Sequence, residues 1–322
     1  MASVLRNNFS WSFSRHKVFE ECRRRYFLQY YGSWNGWNAD GPERARLAYR
    51  LKNMQALPMW VGSIVHRIAE RILGDLRNRE HRDLAAYQKQ ARDIMNREWK
   101  QSLDGEWMHK PKYNLNLFEH YYGIEITAEE RMAAKEKVFA CLERLMSGDI
   151  FAEVGALRPA EWKSIEKLDQ FTVGRHPVFV KIDCATRTEP VPGGAAGRLR
   201  IYDWKTGKET EDAAAQLGCY ALYALQVWRV PLEEVELVLA YLASGETHRL
   251  VPAAADVLRT QDFMMASMDA MIATLDSSAE ENVATQAKFP LTTRRSNCRR
   301  CFFREICFGT REWRDGIEPV EA

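Results

Sequence analysis

The residues best suited to chemistry in this 322-residue chain are a few acids and amines at strand-like run ends, and a set of cysteines. Asp183 closes the β-branched run VFVKID, and Asp203, Trp204 and Lys205 close the run RLRIYDWK. Residues two apart in a strand point to one face, so Asp203 and Lys205 are expected to project together while Trp204 faces the other way. Pairing the two runs around VPGGAAG brings Asp183 to the same end, and two carboxylates then share a pocket with an amine. Hard oxygen ligands hold Mg2+ or Mn2+, and such a cation offsets charge developing on a phosphate, so this trio suits phosphodiester hydrolysis. An ammonium kept protonated between carboxylates can orient the attacking water and stabilise the forming oxyanion. The competing reading is an exposed salt bridge.

Three more residues fit that pocket. His66 stands one helical turn beyond Gly62 and offers an imidazole to a metal. Gln216 and Tyr220 are four apart in QLGCY and share one helix face, aimed at the strand ends if that helix packs back on the sheet.

Cys298, Cys301 and Cys307 form a C-x2-C-x5-C group in SNCRRCFFREICFG, and Cys141, Cys184 and Cys219 sit singly in apolar or mixed segments. Three clustered thiolates leave a four-ligand site one short, and Cys22, far upstream, is the candidate for the fourth. Four thiolates suit either zinc or an iron-sulfur cluster, both soft enough to prefer sulfur. Either would tie the two ends of the chain together.

These groups need a scaffold. A helix is expected over residues 14–31, and a turn-rich GSWNGWNADGP follows it. A second helix runs from Pro58 through VGSIVHRIAERIL, and residues 74–147 are long, polar and helix-prone. Strands begin near Trp162, a helix spans about 212–228, the strands VELVLAYLA and ETHRLV follow, and a helix covers about 253–275. The pattern is α/β. Hydrophobic residues at 46% and charged residues at 28% are ordinary globular values, which disfavours disordered, collagen-like and disulfide-framework classes. No apolar stretch approaches a membrane span and no secretory h-region opens the chain, so a cytoplasmic location with no membrane partner is expected. Net charge is only +2, but residues 1–52 hold ten basic against four acidic side chains, and residues 288–314 eight against two. Both regions also carry aromatics, a combination that suits a nucleic-acid backbone.

Taken in order, FSRHKVFEECRRRYFLQYY, GSIVHRIAE, KID, DWKTG, QLGCY and the cysteine triplet resemble the PD-(D/E)xK nuclease superfamily. The likeness is to its RecB-type branch, AddB-like and CRISPR-associated-exonuclease-like, which carries a 4Fe-4S cluster. The resemblance implies a restriction-endonuclease-like core, a mixed central sheet flanked by helices. It implies that His66, Asp183 and Asp203 bind catalytic Mg2+ or Mn2+, with Trp204 counted in that metal set, and that Lys205 positions water. Gln216 and Tyr220 would support the site or contact DNA. Cys22, Cys298, Cys301 and Cys307 would hold the 4Fe-4S cluster that joins the N- and C-terminal segments. The implied division is a cluster-binding segment at 1–57, the nuclease core at 58–73 and 159–276, a helical insertion at 74–158, and the cysteine segment at 277–322. Val180 stands where the family often has glycine, and Arg23 where proline is common. The implied activity is an exonuclease on single-stranded DNA or DNA ends. The alternatives are a DNA-binding iron-sulfur subunit that cleaves only with a helicase or integrase partner, and a redox or sensor protein, against which no dinucleotide fingerprint appears.

Overall fold

Extended β-branched runs in the middle of the chain form one sheet, and the apolar faces of the surrounding helices close over both of its sides. The structure, a computed structural model, describes residues 6–190, 197–208 and 213–320. The sheet takes its strands in sequence order, β1 (Trp162–Val173), β2 (His176–Arg187), β3 (Leu199–Lys205), β4 (Val235–Tyr241) and β5 (Glu246–Leu250). Among these strands, β3 and β4 are the pair that runs parallel, joined by the crossover helix α9 (Ala213–Gln226). The expected VPGGAAG turn and the first residue of the expected helix at 212–228 lie outside the described residues. Among them, the sheet is mixed and flanked by helices, consistent with the restriction-endonuclease-like expectation.

The expected single helix over 14–31 is interrupted. It forms as α1 (Phe13–Glu21) and α2 (Arg23–Phe27), followed by a π-helical turn over Leu28–Gly32. The break falls on Cys22, whose backbone is extended and whose Sγ accepts from the Arg25 N–H at 3.5 Å, capping α2. Breaking the helix there lets Arg24 reach the C-terminal region, its N–H donating to the Pro290 carbonyl at 3.0 Å and its Nε to Phe289 O at 2.8 Å.

After α3 (Glu43–Lys52) comes α4 (Leu57–Arg77), which starts with proline in its first turn and runs past Gly74. Its buried stripe of Val61, Ile64, Val65, Ile68 and Ile72 packs with α5 (Leu84–Leu103) and α7 (Ala128–Ser147). These cover one face of the sheet through Cys184, Tyr202, Trp204 and Val238. The short helices α6 (Phe118–Tyr121) and α8 (Asp149–Gly155) flank α7 in sequence. Residues 74–158 thus back α4 on that sheet face. The other face, with Ile182, Leu199, Ile201 and Leu237, is covered by α9, α10 (Ala254–Ile272) and α1.

A third apolar cluster joins the chain ends, with Leu28, Leu51 and Met54 against Phe118, Tyr122, Phe303 and Ile306. It includes parts of α11 (Arg295–Arg299) and α12 (Arg304–Phe308). Tyr122 OH donates to the Phe302 carbonyl at 2.7 Å, and the Arg304 guanidinium lies 3.8 Å from the Tyr122 ring centre.

Helix α9 comes close to α10 at one point. A Cβ on Gly218 would lie 2.1 Å from Thr260 Oγ1, so only glycine fits between the two helices. Gly218→Ala should therefore destabilise the fold by about 1–3 kcal/mol through overpacking. Adding Thr260→Ala should recover part of that loss. Urea denaturation of both variants measures it, and an unchanged midpoint for Gly218→Ala would contradict the packing described.

Candidate metal and catalytic site

Three carboxylates stand in register across three neighbouring strands. Ile165 pairs with Cys184 and Lys167 with Ile182, which sets Glu166 of β1 against Asp183 of β2. Cys184 pairs with Tyr202, and the same antiparallel register carried one step further sets Asp183 against Asp203 of β3. Alternation breaks here: Val178, Val180, Ile182 and Ala185 face the α9 side while Cys184 faces the α4 side. Opposite this break Glu166 takes a left-handed backbone, φ 48°. Val180, the departure from the family's glycine, is a buried core residue within β2.

The side chains divide into two groups. On the α4 side, His66 Nδ1 lies 3.0 Å from Glu166 Oε1 and 3.4 Å from Asp183 Oδ1. Among the described residues, these are the three metal-ligating side chains whose ligand atoms all fall within 4.8 Å of one another. Lys181 Nζ holds the other oxygen of Glu166 at 2.6 Å. On the α9 side, Asp203 Oδ2 pairs with Lys205 Nζ at 2.6 Å, and Oδ1 accepts from Tyr220 OH at 3.0 Å and Gln216 Nε2 at 3.1 Å. Gln216 Oε1 in turn accepts from Lys205 Nζ at 2.8 Å. The backbone N–H of Trp204 bridges the groups, donating to Asp183 Oδ2 at 2.8 Å.

The electrostatics follow from burial and neighbours. Asp183 and Asp203 are 6% and 2% exposed. Burial and the adjacent Asp183 raise the Asp203 pKa, against the lowering pull of Lys205 and Tyr220. Burial would lower the His66 pKa, yet hydrogen bonds to Asp183 and Glu166 outweigh it and hold it at about 10. Glu166 moves down, because His66 and Lys181 outweigh its desolvation. A proton on His66 therefore sits between two carboxylate oxygens where a divalent cation could replace it. Two hard oxygens and an imidazole fit Mg2+ or, better, Mn2+.

All the residues expected from the sequence are accounted for. His66, Asp183, Asp203, Lys205, Gln216 and Tyr220 lie in one connected network. Trp204 is in place through its main chain, but its indole is buried on the α4 side away from Asp203 and stacked on Tyr202, and an indole N–H has no lone pair to offer a metal, so the side chain is no ligand. Glu166 was not among the expected residues. WKSIEKLDQF contains no motif, and only the register of β1 against β2 reveals the acid opposite Asp183.

The four cysteines converge elsewhere. Cys22, Cys298, Cys301 and Cys307 line one pocket with Arg25 and Arg304, although no three of them close to within 4.8 Å. Burial raises the Cys301 thiol to about 11 and the Cys307 thiol to about 12, with neighbouring cysteines adding to the rise. Cys141, Cys184 and Cys219 are buried separately.

Residues 10–308 match the PD-(D/E)XK nuclease superfamily, nearly the whole of the fold just described. The chain belongs to that superfamily, whose members are nucleases that generally depend on a divalent metal. No individual curated protein matches it.

Glu166→Gln keeps shape and removes charge. It should weaken Mn2+ binding by about 10- to 100-fold, the usual cost of losing a metal-supporting group, while leaving the metal-free fold intact. Calorimetric titration measures this, and an unchanged affinity would remove Glu166 from the metal site.

Proposed function

We propose that the protein is a metal-dependent deoxyribonuclease of the RecB-type, cluster-bearing branch, an exonuclease acting on single-stranded DNA or DNA ends. The observation that carries this reading is the row Glu166, Asp183, Asp203 with the Lys205 ammonium 2.6 Å from its end. His66, Asp183 and Asp203, joined by Glu166, would hold the cation, which supplies charge neutralisation at the scissile phosphate.

The chain's own groups do the positioning. Asp183 Oδ2 is fixed by the Trp204 N–H, which leaves Oδ1 turned toward His66. Lys205 is held between Asp203 and Gln216, so its ammonium is fixed in direction, ready to orient a water for attack. Tyr220 donates to Asp203 and accepts from Gln216, keeping the glutamine oxygen on Lys205.

For the cysteines, a 4Fe-4S cluster is the reading we favour over zinc. The division into one distant cysteine and a cluster of three suits it better than the two C-x2-C pairs common at zinc, and the family resemblance points the same way. The buried Arg304 beside them offsets the negative charge that four thiolates would bring.

Two experiments test the two halves of this reading. Lys205→Ala should abolish Mn2+- or Mg2+-dependent cleavage of end-labelled DNA while leaving DNA affinity within a few-fold, because the lysine acts mainly in the transition state. Normal turnover in that variant would remove Lys205 from the mechanism. A folded wild-type protein that binds DNA but never cuts it would favour the partner-dependent subunit. Cys298→Ala should lose the brown colour of anaerobically purified protein and lower its melting temperature, since the site joins distant segments. Retention of both would refute the ligand assignment.

A further inference from the structure

Several of the cations on this molecule are neutralised by a carboxylate partner. Arg67 pairs with Glu98, Arg187 with Glu234, and Arg200 and Arg249 share Glu153 and Glu236. One cleft gathers four cations that are not so neutralised. Arg46 and Arg50 of α3 face Lys110 and Lys112 of the loop after α5, and none of the four has an ion pair among the described residues. Arg46 Nε is buried without any hydrogen-bond partner, a donor left unused at a cost proteins normally avoid. Lys52 stands behind them, its pKa lowered by burial and then by the like charges of Arg15 and Lys112.

Flat rings are set among these charges. Tyr113 is 78% exposed and Trp37 42% exposed, both lining the cleft. Trp37 is braced edge-on by Trp34 at 5.1 Å and Tyr49 at 5.9 Å, so its outer face is held in one orientation. Lys112 lies 6.0 Å from the Tyr113 ring and Lys52 lies 5.2 Å from Tyr49. Unpaired cations alternating with exposed rings match a polymer that alternates phosphates and bases. An acidic peptide would use only the cations.

The chain that lines the cleft continues toward the catalytic strand. From Lys52 at the end of α3 the chain enters α4, where Ser63 Oγ donates to Gln55 Oε1 at 2.9 Å. A Cβ on Gly62 would lie 3.1 Å from Thr206 Oγ1, beside Lys205, and one helical turn further on is His66. That turn spans only about 6 Å.

We propose that this cleft grips the single-stranded arm of a DNA substrate upstream of the cutting site. Arg46, Arg50, Lys110 and Lys112 take phosphates, and Trp37 and Tyr113 stack bases. The proposal rests on the reading of DNA as substrate and adds where the strand enters.

The test is fluorescence anisotropy of a labelled 20-nucleotide oligothymidylate on the full chain in EDTA, where no cutting occurs. Tyr113→Ala should weaken binding roughly tenfold, a stacking contribution typical of one aromatic on one base. Trp37→Ala should do the same, but its ring is packed on neighbours, so the exposed Tyr113 gives the result that folding cannot confound. Arg46→Ala with Arg50→Ala should reduce the slope of log affinity against log salt by about 1.4, that is, about 0.7 for each single-strand phosphate. Unchanged affinity and slope in folded variants would overturn the proposal. So would an equal loss on duplex DNA, or displacement of the oligonucleotide by polyglutamate at the same charge concentration. Cleavage with Mn2+ separates this proposal from the nuclease reading. Variants that cut a trinucleotide at the wild-type rate but a long strand slowly support both. A wild-type protein that never cuts, yet loses binding as described in these variants, keeps the cleft and refutes the nuclease.

Discussion

Mutual repulsion among Glu166, Asp183 and Asp203 sets the terms for the structure around them. Neighbouring strands lie about 4.8 Å apart, and the charge of Asp183 beside the buried Asp203 disfavours ionising both, so the row needs compensating charge and hydrogen bonds. The surroundings supply what is missing: Lys181 on Glu166, His66 between Glu166 and Asp183, the Trp204 N–H on Asp183, and Lys205 on Asp203. The same groups that make the row tolerable also make it usable. Under the proposed reading, a proton held on His66 between two carboxylates marks a place where a divalent cation could replace it, and the ammonium held by Asp203 and Gln216 is already aimed.

The two sheet faces divide the labour. The α4 face brings His66, and the α9 face brings Gln216 and Tyr220, so the site forms where both layers reach the same strand ends. Helix α7, in the stretch that separates α4 from β1, holds α4 against the sheet and with it His66. The chain ends are stitched by a separate cluster, in which Arg24 bonds to Phe289 and Pro290 and Tyr122 to Phe302. These bonds help bring Cys22 beside the cysteine triplet.

What was legible in the sequence was what depends on period and local chemistry. Alternation in RLRIYDWK placed Asp203 with Lys205 and turned Trp204 away, and helix spacing put Gln216 and Tyr220 on one face, as the hydrogen bonds among them show. The stripe through VGSIVHRIAERIL marked the buried face of α4. What was not legible depends on pairing between distant segments. Glu166 is an ordinary acid in a polar strand until β1 is laid against β2, and the kink at Asp183 violates the alternation that sequence reading relies on. The helix break at Cys22 was missed because local propensity favours continuing, whereas contacts with residues 289–290 favour a turn. The role of residues 74–158 was hidden for the same reason, since their apolar faces are addressed to α4 and, with it, to a sheet that comes later in the chain.

The central claim is that the carboxylate row is built around a divalent cation. Anomalous scattering from a crystal soaked in Mn2+ tests it directly. The account predicts one strong peak in contact with Asp183, bounded by His66 and Glu166 and within reach of Asp203. Saturating Mn2+ with no peak there, or with the metal bound away from these four residues, would contradict it.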